Sequence, residues 1–536
     1  MDKPEFNLLD EKWIRVLTAD CGTQEVSLLD ALLHARDYVD LSGELPAQDV
    51  TILRLLLAVV YTVFTRVDQR GEASPLWEQK TGEAKARWKA LWELGRFPEA
   101  PIRDYLEHWR ERFWLFHPER PFYQIAEAAG GTEYTAAKLN GEMSESNNKL
   151  RLFPGASGEG KQKLAYGEAA RWLLYVNGVD DTASKARGKG LPSPGAGWLG
   201  KLGLIYNVGR NLFETILLNL TLLRDGKSAW GAEPCPVWEL EVPRSAERTE
   251  IPVPEDPAAL WTLQSRRLLL NREDNAVTGY ALLGGDFFPK SNAIFEQMTI
   301  WKTGQAKSGQ PPEYLPRRHD PTRQFWRDFG AVFMPEADSR QPGVVKWYET
   351  LAVYMGWPPA TLARFRIVSV QYGDKDFFIN DVFSDSLAFH AALLSEMGEA
   401  WRERVAEEVD RCEQLAYAVG ELEVSLAKAA GGDAKPNDAK AQFYARVDQP
   451  FRRWLRSIDP ETVEEAAREK LEEWQREAKR ITGQLGEELV QSAGAVAFSG
   501  RFIKEKTKGK ELARHYAAPE AYNRFTWRIH QIYKEG

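Results

Sequence analysis

PETVEEAAREKLEEWQREAKRITGQLGEELVQSA, residues 460–493, places Ala467, Leu471, Trp474, Ala478, Ile481, Leu485 and Leu489 three or four positions apart, with Glu, Lys and Arg filling the gaps. That period draws one apolar stripe along a helix and leaves a charged face opposite it. The same spacing runs through Leu387 to Ala427, Ala441 to Ile458 and Pro519 to Tyr533, with Gly431-Gly432-Asp433, Asp459-Pro460 and Lys506-Thr507-Lys508-Gly509 as breaks. Four amphipathic helices joined by short polar loops predict an antiparallel four-helix bundle over residues 381–536. The small, polar tract Ala429 to Ala439 reads as a loop, and no internal repeat is visible.

Residues 1–380 are different in kind. Trp13 to Leu17 and Glu25 to Leu28 flank the turn-like Cys21-Gly22-Thr23 and predict a small hairpin. Leu53, Leu56, Leu57, Val60 and Phe64 fall at helical spacing and predict a helix over Ala47 to Thr65. Between Glu127 and Gly209 glycine, proline and lysine accumulate, so loops are expected around one helix at Glu168 to Asn177. After Trp230 the chain becomes strand-like, through Val237 to Val242 and on to Tyr280, and a helix is expected at Thr322 to Phe329. The fold class is therefore α+β: a large mixed α/β domain, residues 1–380, followed by the bundle.

With 536 residues, 43% of them hydrophobic and 11% aromatic, the chain buries more than one core. A net charge of −8 excludes a surface that is basic all over, yet Lys149 to Arg210 carries ten Lys or Arg against four Asp or Glu. Nucleic acid at one place and protein partners elsewhere fit that distribution. Cys21, Cys235 and Cys412 are too dispersed for a disulfide framework or a metal knuckle and read as reduced thiols, which suits a cytoplasmic protein. No signal peptide is legible at the start, and the longest apolar run, Ile52 to Phe64, reads as a buried helix, so no membrane is expected.

Three stretches carry candidate chemistry. Gly155 to Gln162 matches the spacing of a phosphate-binding loop but ends in Gln162, which lacks the hydroxyl such a loop gives to Mg²⁺; a flexible basic loop is the better reading. His319-Asp320 admits a stand-alone metal-dependent nuclease, although the seven histidines are scattered and an Asp320-Pro321 turn accounts for the dipeptide. Gly188-Lys189-Gly190, inside a glycine-rich run that reaches Gly197, allows a main chain to approach a surface closely, as the roughly 6 Å minor groove of DNA requires. A solvated linker explains the same composition.

Several separated blocks resolve that choice by resemblance. Phe6 to Ile14, Phe116 to Gln124, Asn211 to Asn219 and Arg318 to Pro321 resemble, in order and over most of the chain, the CasA family, the large subunit of type I-E CRISPR surveillance complexes (Cascade). The resemblance implies a non-catalytic subunit that works with the guide RNA and the other Cascade subunits. It would read the protospacer-adjacent motif (PAM) in double-stranded target DNA, aid its opening and help recruit a helicase-nuclease. By position it implies a PAM loop at Gly188, Lys189 and Gly190. The wedge would fall at Lys375 and Asp376, where the family often has Gln, and a loop for the RNA handle or neighbouring subunits at Phe153, Lys161 and Lys163. For the family's minor-groove lysine, which Gly279 to Gly285 does not supply, the resemblance assigns Lys290. No cofactor and no metal are expected, because the cysteine cluster of some members is missing.

Overall fold

The computed structural model describes residues 3–77, 81–144, 149–150, 162–182, 191–304, 313–334, 340–433, 435–507 and 510–534. They form two compact units: residues 1–323, 335–356 and 364–386 make one, and residues 324–334, 357–363 and 387–536 make the other.

The first unit is built around the helix Pro46–Arg66, of which 18 residues are buried. It is long and apolar enough to cross a bilayer, but 94% of its most apolar window is covered by protein, which makes it a core helix. A charge inside such a core needs a partner. Arg54 finds it in Glu296, its two terminal guanidinium nitrogens donating to one carboxylate oxygen each at 3.0 and 2.9 Å.

Three of the sheets have three strands each. Ile14–Thr18 pairs antiparallel with Thr23–Val26, as the hairpin reading predicts, and with Tyr38–Leu41 on its other side. Arg266–Glu273 and Ala276–Gly284 form a hairpin whose turn residues Asp274 and Asn275 both take positive φ, a conformation these two side chains tolerate. Thr132–Thr135 pairs with the outer edge of that hairpin. In the third sheet the order is Ile379–His390, Leu362–Tyr372, Leu204–Asn207.

The second unit is helical. Glu399–Ala430, Asn437–Ser457, Glu464–Ser492 and Ala518–Ile532 are its long helices, in agreement with the mixed α/β region and C-terminal helical region that the sequence predicts. Trp454 and Trp474 stack 5.3 Å apart, and Phe451 meets Trp474 edge-on at 5.1 Å. The Trp474 indole donates to buried Glu408 at 3.0 Å. Trp326, from the segment 324–334, stacks on Phe451 at 4.2 Å and donates to Asp448 at 2.9 Å, which is why that segment belongs to this unit.

Four local expectations are corrected. Val237 to Val242 is not a strand: Pro234, Pro236 and Pro243 lack ladder donors, and Val237–Glu239 is a short 3₁₀ turn. The first long helix starts at Glu399, since Leu387 and Phe389 alternate inward at the end of a strand. The helix expected at Thr322 to Phe329 is a 3₁₀ turn, Phe325–Asp328, leading into Phe329–Phe333. The break expected at Lys506 to Gly509 is flanked by strands, Arg501–Thr507 paired antiparallel with Lys510–Tyr516, while Lys508 and Gly509 lie outside the described residues.

Candidate nucleic-acid interface

Residues 183–190, and with them Gly188, Lys189 and Gly190, lie outside the described residues, but the stems on both sides are built in detail. The incoming stem leaves the helix Tyr166–Val179 at Asp180-Asp181-Thr182, and the outgoing stem is Leu191 to Gly197. The Gly197 amide donates to the Asp180 carbonyl at 2.9 Å, closing the base. A Cβ on Gly197 would collide with the Gly178 carbonyl, so this glycine serves the close approach of the two stems.

Arg266 holds the base from beneath. Its guanidinium pairs with the Asp180 carboxylate at 2.6 Å and donates to the carbonyls of Asp180 at 3.2 Å, Asp181 at 3.0 Å and Gly195 at 2.6 Å. Lys138 pairs with the Asp181 carboxylate at 2.7 Å, both side chains being buried. One arginine thus joins both stems, and its charge is met by an acid in the incoming one.

The predicted wedge lies against the same stem. At the turn between Leu362–Tyr372 and Ile379–His390, Lys375 and Asp376 both take left-handed φ, 52° and 61°. The Thr182 amide donates to the Asp376 carbonyl at 2.9 Å, and its hydroxyl to the Lys375 carbonyl at 3.1 Å. Arg318 grips the Asp376 carboxylate with two nitrogens at 2.8 and 3.0 Å, donates to the Gly200 carbonyl at 2.6 Å and lies over the Tyr372 ring at 4.4 Å. The Tyr372 hydroxyl donates to the Val179 carbonyl, back at the incoming stem. Asp376 is therefore an anchor of the turn. Lys375 is exposed and has no ion-pair partner among the described residues.

Cations collect at the outgoing stem. Burial first, then the charges of Arg266, Lys290, Arg248 and Arg318, push the Lys201 ammonium from its ordinary 10.5 down to about 8. Buried Arg248 donates to the Pro192 carbonyl and lies 4.0 Å over the Phe287 ring, while its Nε has no partner among the described residues. Burial, and then the Arg266 charge, lower its pKa as well. Lys290 is exposed and close enough to act on Lys201. The site thus presents positive charge that its own carboxylates leave uncompensated, the condition for holding phosphate.

The remaining candidates are separate. Phe153 and Lys161 lie outside the described residues; Lys163 is exposed, directly before Leu164, whose amide and carbonyl bridge to Val277 at 2.9 Å. His319 is buried with Nε2 3.1 Å from the Leu204 carbonyl, and the Asp320 carboxylate accepts from the Thr322 amide and hydroxyl at 2.9 and 2.7 Å. Among the described residues no three His, Cys, Asp or Glu side chains are placed to hold a metal.

Residues 7–485 match the model of the family described as CRISPR-associated protein Cse1. This chain belongs to that family. The CRISPR-associated protein CasA/Cse1 of Thermus thermophilus is 31% identical over 350 residues, which cover 65% of this chain and 64% of that protein. The match to that relative thus spans just under two thirds of its length. The crystal structure of Cse1 from Thermobifida fusca superposes with a TM-score of 0.80 at 29% identity, covering 98% of both chains. A chain of a structure named "CRISPR RNA-guided surveillance complex" shares the fold at a TM-score of 0.66 and 17% identity, over 92% of this chain and all of that one. The resemblance read from the short sequence blocks is borne out by the Cse1 match.

Sequence reading did not find Arg266, Arg318, Lys201 or Arg248. The first left a signal: in Ser265-Arg266-Arg267-Leu268-Leu269-Leu270 two arginines enter a strand too apolar to be exposed, which demands buried acids.

Proposed function

We propose that this chain is the large, non-catalytic subunit of a type I-E CRISPR surveillance complex, working in the cytoplasm with guide RNA and the other Cascade subunits. Cse1 family membership and the fold shared with a chain of an RNA-guided surveillance complex support it. The observation that carries the site is the junction at Thr182: the stem leading to Gly188, Lys189 and Gly190 and the turn at Lys375 and Asp376 are bonded to one another beside unpaired cations.

In this reading Gly188 and Gly190 let the main chain enter the minor groove at the PAM, and Lys189, Lys201, Arg248 and Lys290 hold phosphates. Phosphate contacts fix the register of the duplex, while pairing with the guide RNA reads the target sequence. The exposed Lys375 turn, braced by Arg318 and Thr182, stands where the opened strands part. Phe153, Lys161 and Lys163 meet the RNA handle or a neighbouring subunit. Neither cofactor nor metal takes part, and cleavage belongs to the recruited helicase-nuclease.

The test is competition binding by the assembled complex between duplexes with and without a PAM. Gly188→Leu or Gly190→Leu abolishes the preference, whereas Lys189→Ala weakens both duplexes evenly and flattens the salt dependence. A preference that survives both glycine substitutions overturns the site. Magnesium-dependent cleavage by the purified chain alone points instead to a nuclease around His319 and Asp320.

A further inference from the structure

The helical unit contains a cavity of about 450 Å³ between the helices Glu399–Ala430 and Ala518–Ile532 and the strand Lys510–Tyr516. Four cations line it, Lys428, Arg514, Arg524 and Arg528, against one carboxylate, Glu421. Glu421 is already paired with Arg528. Arg514 and Arg524 are exposed, and neither has a carboxylate within ion-pair distance among the described residues. The neighbouring hairpin sequence, residues 501–516, adds to the imbalance with six Lys or Arg against two Glu, in a chain whose net charge is −8.

Two tyrosines set the direction of these charges. Lys428 and Arg514 lie over the Tyr516 ring at 4.9 and 5.3 Å, and Arg528 and Lys440 over the Tyr417 ring at 4.7 and 5.4 Å. Held against the Tyr516 face, Arg514 keeps its place without an acid, whereas Arg528 meets both the Tyr417 ring and Glu421. The rings are thereby occupied and not offered to a base.

We propose that this cavity binds the phosphodiester backbone of a single nucleic-acid strand without base preference. Three of the four cations are guanidiniums, whose planar forks match phosphate oxygens two at a time. Their convergence on one concavity suits a strand that can bend into it, whereas duplex DNA, with a persistence length of about 50 nm, does not follow so tight a surface. The volume is in the range that admits a nucleotide-sized group, roughly 300–1,000 Å³. The site lies in the helical unit and depends on none of the residues around Thr182.

The experiment measures fluorescence anisotropy of the full-length chain with labelled DNA and RNA oligonucleotides of one sequence and with the matching DNA duplex. Arg514→Gln with Arg524→Gln weakens strand binding roughly tenfold at low salt and reduces the salt slope by about 1.4, two phosphates at about 0.7 each. Arg468→Gln with Arg476→Gln removes equal charge from exposed positions outside the cavity and leaves binding unchanged. Arg514→Lys with Arg524→Lys keeps the charge but not the planar fork and restores part of the affinity, which separates lost contact from lost folding. Tighter binding of DNA or of RNA identifies the strand, and either supports the site. Equal loss in the two glutamine pairs, a preference for duplex, or displacement by poly-glutamate as effective as by the unlabelled strand overturns it.

Discussion

The hydroxyl of Thr182 donates to the carbonyl of Lys375 at 3.1 Å, joining two chain segments 193 positions apart. Because the turn carrying Lys375 is held by main-chain bonds to the stem, its side chain can vary without moving it. Asp376 cannot, since its carboxylate meets Arg318.

Arg318→Ala removes that grip together with the contact on Tyr372. The pair is about a third exposed on each side, so the expected loss of stability is only about 1 kcal/mol. PAM discrimination by the assembled complex should fall much further. A large drop in melting temperature with discrimination intact would contradict this.

Arg266→Met takes the buried Asp180 carboxylate's ion pair away and removes one donor from each of the carbonyls of Asp180, Asp181 and Gly195. Breaking one side of a buried pair costs about 3–5 kcal/mol. Urea unfolding of the variant should show it, and Arg266→Met with Asp180→Leu should recover much of the loss. A double variant no more stable than the single one would sink the account.

Lys201 supplies a pH signature. Its folded pKa, about 8, lies below its ordinary 10.5, so between those values the unfolded chain binds more protons and stability rises with pH. Lys201→Gln should flatten that rise. Phosphate at the site would restore the charge, so DNA binding near pH 8 should take up about half a proton per chain, read from calorimetry in buffers of different ionisation enthalpy. No difference between wild type and Lys201→Gln would remove Lys201 from the interface.

Asp49, at the start of the core helix, behaves oppositely. Burial, together with repulsion from Asp40 and Glu44, pushes its carboxyl from 3.8 up to about 7, against the Gly43 amide that donates to it at 2.7 Å. The folded state then binds the extra proton, so stability falls as pH rises from about 4 to 7. Asp49→Asn keeps the acceptor and should stabilise the protein by about 1–3 kcal/mol at pH 8, with little effect at pH 4. Equal melting shifts at both pH values would refute the assignment.

The amphipathic helices and the first hairpin were legible because their signals are local: a period of 3.6 or 2 with turn residues at the ends. The hairpin Arg501–Thr507 with Lys510–Tyr516 was not, since its strands are dense in lysine and arginine and lack the usual apolar alternation. Val237 to Val242 had apolar residues at the right spacing, but its flanking prolines decided otherwise. At the candidate site, resemblance pointed to Lys375 and Asp376, yet nothing in the sequence ties Asp180 to Arg266, 86 positions on. Such pairs follow from tertiary packing, and only the unusual presence of Arg266 in an apolar strand hints at them.

The stacking of Trp326 on Phe451 also fixes an order of events during synthesis. Trp326 leaves the ribosome 122 residues ahead of Asp448, the acceptor of its indole. Until then Trp326, Phe329 and Phe333 have no helical partner to cover them, so a nascent chain stalled between these points carries an aromatic patch open to chaperones and to other unfinished chains.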